Sequence, residues 1–226
     1  MRRRSATRAE KQAKTRSKLL SAAAKVFCRH GLEGASVDEV SAEAGYTKGA
    51  FYANFRSKEE LFLVMLDERF AAQLDRIDQT LAGAEEPGEE ARHAARDFIR
   101  RVDRDREWEK LYFEFVAYAA RNDEFRQELA TRHRALRKRL AEIYRRWSAD
   151  FPAEPPVPIE DVAAMTDFMA DGFLLDKLID PEIDDELYAT MLAIFFRGMQ
   201  ATALGWEPDA DGEPQAVGGR SGTARN

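Results

Sequence analysis

Residues 47–58 collect side chains suited to contact with a polyanion. Lys48, Tyr52, Asn54 and Lys58 carry hydrogen-bond donors, Gly49 and Ala50 carry almost no side chain, and Ser36, Tyr46 and Thr47 add hydroxyls nearby. Small residues let a backbone come close to a duplex, while ammonium, amide and hydroxyl groups reach phosphate oxygens and base edges. The chemistry this set can perform is recognition of double-stranded DNA. No catalytic constellation accompanies it. Glu90-Ala91-Arg92-His93 has the Glu-x-x-His spacing of a carboxylate-bridged metal pair, but that site needs a second copy and two further Glu. Residues 180–186 are acidic but lack the glycine and terminal bidentate Glu of a calcium loop, and they fit helix capping. No metal or other cofactor is implied, and the chain does not read as an enzyme. A helical di-metal enzyme is the alternative that the missing ligands weigh against.

Donors of this kind need rigid elements beneath them. Ser36-Val37-Asp38-Glu39 is a capping box, in which the Ser36 hydroxyl accepts from the Glu39 amide and the Glu39 carboxylate from the Ser36 amide. Val37, Val40 and Ala44 follow at helical spacing, Gly45 tolerates positive φ, and Thr47 can cap a second helix. Residues 36–55 therefore predict a helix-turn-helix. A preceding helix over residues 15–30, with Leu19, Leu20, Ala23, Val26 and Phe27 as its apolar face, ends at Gly31 and packs the motif from behind. Cys28, the sole cysteine, falls among those positions and reads as a core residue. Residues 1–14 form a basic flexible arm, either a solvated tail or an extension onto the minor groove and phosphates.

Charge divides the chain. Residues 1–58 hold 13 Lys and Arg against 5 Asp and Glu, a charge of +8; the remainder carries −14, giving the net −6. A basic head on an acidic body confines polyanion contact to the head. The body begins with Ser57-Lys58-Glu59-Glu60, a second capping box opening a helix towards Leu81. Lys58 opposes the dipole of that helix, which a nearby phosphate would explain. After an acidic Gly/Pro link at residues 82–89, helical patterns cover residues 90–103, 106–121, 123–147, 159–179 and 184–204. The basic cluster Arg132, Arg134, Arg137, Lys138 and Arg139 reads as a solvated face.

Trp108, Tyr112, Phe115, Tyr118, Trp147, Met165, Met169 and Phe173 are the candidates for a ligand pocket, although aromatic and Met stripes at helical spacing also form plain core. Glu114 and Asp171 lie in largely apolar runs, where a buried carboxylate needs a partner, an internal hydrogen bond or solvent. The last two helices are apolar over more than one stripe, more than one neighbour covers. Phe168, Leu175, Leu192, Phe195, Phe196 and Met199 would then form a two-fold interface with a second chain. The Gly- and Pro-rich residues 205–226 read as a disordered tail. No apolar run approaches a membrane span or a secretory signal, so a cytoplasmic location is expected.

From Leu19 to Leu61 the pattern resembles the DNA-binding domain of the tetracycline-repressor (TetR/AcrR) family. The matching positions are Leu19-Leu20, Ala22-Ala23, Phe27, Gly31, Val37, Val40, Ala44, Gly45, Thr47, Gly49, Tyr52, Phe55, Lys58 and Leu61, with Ser41 and Tyr46 as small departures. The resemblance implies an all-α fold of about nine helices, with a helix-turn-helix domain at residues 15–58 and a ligand-binding and dimerisation domain at residues 59–204. It also implies a homodimer, an inverted-repeat operator and a small-molecule effector. Thr47, Lys48, Gly49, Ala50 and Asn54 would face the major groove, and Ser36, Tyr46, Tyr52 and Lys58 would hold phosphates. Tyr52 also fits a partly buried ring with a wet hydroxyl. A ligand-responsive repressor is the resulting expectation. The competing reading is an architectural DNA-binding protein, which a fully packed core would favour and a cavity of several hundred cubic ångströms would oppose.

Overall fold

The computed structural model describes residues 7–82, 87–151 and 154–205. Among these there are nine α-helices and no strand: α1 (Arg8–Gly34), α2 (Val37–Glu43), α3 (Lys48–Tyr52), α4 (Lys58–Leu81), α5 (Pro87–Arg104), α6 (Arg106–Ala119), α7 (Asp123–Trp147), α8 (Ile159–Ile179) and α9 (Asp185–Ala203). The all-α expectation holds. Helix α1 starts earlier than the sequence pattern suggests, because Thr7 and Glu10 form a reciprocal capping box and the following Ala, Lys, Gln and Arg are strong helix formers. Residues 7–14, expected in the flexible arm, are therefore cap and helix. Residues 1–6 of that arm and residues 206–226 of the expected tail lie outside the described residues. Cys28 is exposed rather than in the core, one residue beyond Phe27 and so about 100° round the helix from it.

Two apolar cores are stacked along α4. The first joins Leu19, Val26 and Phe27 of α1, Val40 of α2 and Phe51 of α3 to Leu61, Phe62 and Leu66 of α4 and Leu111 and Phe115 of α6. The second joins Leu74 and Leu81 of α4 to Ile99 of α5, Leu136 and Leu140 of α7, Val162 of α8 and Leu192 and Phe196 of α9. Helix α4 thus belongs to head and body alike. Helices α5 and α9 approach closely because Ala91 and Ala95 on one side and Ala189 and Ala193 on the other are small and buried. No helix among the described residues is long and apolar enough to cross a membrane.

The junction of α1 and α2 is the tightest corner. Gly31 adopts φ 66° and ψ −178°, a region open almost only to glycine, and breaks the regular course of α1. A Cβ there would lie 2.6 Å from Oε1 of Glu114 on α6. That carboxylate accepts from the Leu32 amide at 2.5 Å, and the Lys58 ammonium donates to the carbonyls of Leu32 (2.6 Å) and Ala35 (2.9 Å) and, at 3.5 Å, to that of Glu33.

Gly31 and Gly45 both have positive φ, but a Cβ at Gly45 would meet nothing within 4 Å. Gly31→Ala is expected to cost about 1–3 kcal/mol in backbone strain, before any cost of displacing Glu114. Gly45→Ala should cost about 1 kcal/mol. Thermal unfolding of both variants checks the order, and an equal or reversed ranking would refute this account of the corner.

Candidate functional site

The helix-turn-helix is held from inside. Val40, Phe51 and Phe55 are buried completely or nearly so, and this fixes which residues of α3 point outward. Ser36 caps α2 reciprocally with Glu39, and the Thr47 hydroxyl accepts from the Ala50 amide at 3.2 Å. Thr47, Lys48 and Gly49 are exposed, Ala50 is half-buried, and Tyr52 is 52% exposed with its ring edge-on to Phe51. The ring leans on the core through Phe51, as the reading of a partly buried ring requires. The Lys48 ammonium sits 3.0 Å from Asp38 Oδ2, and this hydrogen bond raises its pKa above the ordinary lysine value. Ser36 is exposed, but its hydroxyl donates to Glu39 at 2.8 Å. Tyr46 is half-buried beneath the Lys18 ammonium.

Two expected DNA contacts are placed differently. Asn54 does not face outward: α3 ends at Tyr52, so Asn54 lies past the last turn and its Nδ2 donates to the Ala50 carbonyl at 2.8 Å. Its Oδ1 is buried with no partner among the described residues. Lys58 has its three protons directed at the carbonyls ending α1, which accounts for its odd place at a helix start without a phosphate. The basic residues expected in a flexible arm stand instead on a helix, joined there by Lys18. Arg8, Lys11, Lys14 and Lys18 are exposed along α1, and their spacing of three and four residues gathers them on one side, ending beside Tyr46.

In the body, two adjoining cavities lie between α4, α5, α7 and α8, one closed by α9 and the other by α6. An apolar lobe of about 60 Å³ is bordered by Leu74, Phe98, Leu140, Tyr144, Trp147 and Phe196. A polar lobe of about 90 Å³ is bordered by Arg69, Arg101, Glu109, Tyr112, His133 and Asp171. Phe98, Arg101, Leu136 and Asp167 line both. Of the expected pocket residues, Trp108 and Tyr112 line the polar lobe and Trp147 the apolar one. The others do not line either lobe. Phe115 is stacked on Phe62 in the first core, Tyr118 packs against Phe125 with its hydroxyl accepting from Asn122, and Phe173 stacks on Tyr188. Met169 packs against the second core, and Met165 is 41% exposed. Helical spacing marks a face as apolar but does not say which core receives it.

The expected dimer face is also redrawn. Leu192 and Phe196 are buried within the protomer, and Phe195 and Met199 are half-buried against its core. Among the described residues of these two helices, the uncovered large apolar side chains are Met165, Phe168, Leu175 and Ile179 on α8, with Leu187 and Ile194 on α9.

The family model described as bacterial regulatory proteins, tetR family, matches residues 19–65, and that of the BetI-type transcriptional repressor C-terminal domain matches residues 87–200. The chain belongs to the tetR family of bacterial transcriptional regulators. Among its relatives, the uncharacterized HTH-type regulator YfiR of Bacillus subtilis is 25% identical over 75% of this chain and 82% of its own. The crystal structure of a TetR-family regulator from Mesorhizobium loti superposes with a TM-score of 0.69 at 19% identity, covering 85% of this chain and 98% of that one. FadR from Bacillus subtilis, solved in complex with stearoyl-CoA, superposes with a TM-score of 0.66 at 16% identity, covering 80% and 98%.

Within this family member, the polar lobe is dominated by ionisable groups, of which the sequence reading singled out Tyr112 and Asp171 and passed over Arg69, Arg101, Glu109 and His133. The Tyr112 hydroxyl lies 3.0 Å from Nε2 of His133. Asp167, almost fully buried, accepts from Arg137 at 3.1 Å and lies 3.9 Å from Nδ1 of His133. Burial lifts Glu109 to about 7 despite the pull of Arg69, and burial with the charge of Asp167 lifts Asp171 to about 6. Burial also lowers Arg101 to about 10, helped by repulsion from Arg76. Because Glu109 and Asp171 hold protons more tightly folded than unfolded, both contribute stability that is present at low pH and lost as pH rises from about 4 to about 7. Glu109→Gln should therefore flatten the fall of the melting midpoint between pH 5 and 7 and melt above the wild type at pH 8. An unaltered pH profile would show that Glu109 does not carry it.

Proposed function

We propose that the chain is a homodimeric, cytoplasmic, ligand-responsive repressor. It binds an inverted-repeat operator through α3 and leaves it when a small, largely apolar molecule enters the body. The observation that carries this reading is the double role of α6, whose Trp108, Leu111, Tyr112 and Phe115 all belong to the first core while Trp108 and Tyr112 also line the polar lobe. Its Glu114 also holds the Leu32 amide. A ligand larger than the present cavities must part the helices around them, and α6 and α4 pass that displacement to the head. The two forms then differ in the spacing of two recognition helices that must fit groove turns about 34–36 Å apart or a multiple. The effector acts only through its unequal affinity for those forms.

Thr47, Lys48, Gly49 and Ala50 are assigned to the major groove, and Ser36, Tyr46 and Tyr52 to phosphates, with Lys11, Lys14 and Lys18 extending the basic side. Phe168, Leu175 and Ile194 are assigned to the two-fold interface. An apolar effector is supported by the stearoyl-CoA held by the related FadR. The cavities of about 60 and 90 Å³ fall well short of the several hundred cubic ångströms that ligands occupy. That shortfall favours the second reading, an architectural DNA-binding protein, which gains if no small molecule displaces the protein from DNA.

Lys48→Ala should lower affinity for a selected operator by roughly 10-fold or more without altering the melting midpoint. Lys58→Met should lower the midpoint, because it leaves carbonyls at the end of α1 without their donor. Mobility-shift and thermal measurements separate the two, and normal operator binding by Lys48→Ala would remove α3 as the reading element. Phe168→Glu should sediment as a monomer with weakened operator binding, and an intact dimer would discard the α8–α9 interface.

A further inference from the structure

We infer that the effector is a phosphorylated amphiphile, its apolar chain in the inner lobe and its phosphate groups on Arg76, Arg101 and Arg104 at the entrance. The inference rests on the reading of the body cavity as the effector site. An open groove of about 690 Å³ runs between α1, α4 and α5 and is lined by Arg16, Arg69, Arg76, Arg101 and Arg104. It shares Arg69, Arg76, Arg101 and Trp108 with the polar lobe, which in turn adjoins the apolar lobe through Phe98 and Arg101. The open groove, the polar lobe and the apolar lobe are therefore neighbours in that order, with Arg101 bordering all three.

The arginines are not equivalent. Arg16 is taken by the Asn54 carbonyl and the Phe55 ring, and Arg69 by Asp105 and the face of Trp108. Among the described residues, Arg76, Arg101 and Arg104 have no carboxylate within ion-pair distance. Arg101 donates to the Asp97 carbonyl of its own helix and lies 5.8 Å over the Phe98 ring. Many other surface cations are paired, such as Arg96 with Glu186, Arg145 with Glu160 and Arg146 with Asp78. Three unpaired guanidinium groups around one opening repel each other, and half-burying one of them adds desolvation, a cost that a bound anion offsets.

Acids are present too. Glu68 lines the groove; deeper, Asp167 is paired with Arg137, and burial moves Glu109 and Asp171 towards their neutral forms and weakens their opposition to an anion. Guanidinium forks spread along a groove match several phosphate oxygens, whereas one carboxylate satisfies one fork. The shared chemistry has two sources, an acyl thioester of coenzyme A or a simple alkyl phosphate.

Tryptophan fluorescence, to which Trp108 and Trp147 beside the lobes contribute, reports binding of dodecanoyl-coenzyme A, dodecyl phosphate and dodecanol to the intact protein, and displacement from operator DNA is followed in parallel. Both phosphorylated probes should bind at least tenfold more tightly than dodecanol. The Arg76→Ala/Arg104→Ala variant should erase that advantage and leave dodecanol binding unchanged; Arg104→Ala alone, at an exposed site, gives a partial loss if the double variant folds poorly. A stronger response to the coenzyme A ester assigns the thioester source, and equal responses assign the alkyl phosphate. Equal binding of dodecanol and the phosphorylated probes would overturn the phosphate assignment while leaving the cavity as an effector site. Binding of none of the three would overturn both.

Discussion

Phe27 of α1, Phe62 of α4 and Phe115 of α6 meet in one aromatic contact, Phe62 stacked on Phe115 and Phe27 edge-on to it, and all three are at most 1% exposed. This contact joins the helix behind the reading motif to the two helices that enter the body. Each aromatic pair adds about 0.5–1.5 kcal/mol beyond its buried area, so separating head from body at this point is costly. Head and body therefore move as coupled parts rather than as beads on a linker. Helix α4 carries the constraint onward, since Leu61, Phe62 and Leu66 face the first core and Leu74 and Leu81 the second.

The corner at Gly31 depends on that contact and completes it. Once α6 is pressed against α1 through Phe115, Glu114 on the next position of α6 meets the Leu32 amide. Glycine is then required at position 31 both by its backbone angles and by the carboxylate that fills the space of a side chain. Lys58 completes the corner from α4 by neutralising the exposed carbonyl ends of α1, the favourable end of a helix for a cation. Residues from α1, α4 and α6 thus fix the angle at which α2 and α3 are presented.

The body places conflicting groups side by side. Its inner lobe is apolar, while the neighbouring lobe holds Glu109, Asp171, His133 and Arg101 in partial burial. Such a site is poorly satisfied as it stands, and shifted titrations of this kind gather where a ligand or a proton is to be exchanged. One end of α6 lines this lobe, and the same helix packs into the first core beside α1 and α4.

The sequence by itself determined the helices, their order and the reading motif, because capping boxes, glycine stops and helical spacing are local signals. The helix over residues 159–179 and the caps at Ser36 and Thr47 emerge as the spacing requires. It also determined that α8 and α9 carry more apolar surface than one neighbour covers. Tertiary structure alone decided where side chains with the same periodic signal go. Phe115 and Tyr112 stand three residues apart on one helix and share the first core, yet only Tyr112 also borders a cavity, since α6 passes from that core to the polar lobe. Leu192 and Phe196 turn inward while Ile194 turns out, a choice set by how α9 is rotated against α5. Lys58 and Asn54 were legible as polar groups near a duplex-binding motif. Only the folded corner supplied the carbonyls that claim them, because those acceptors come from residues distant in sequence or from a helix end whose position no local signal fixes.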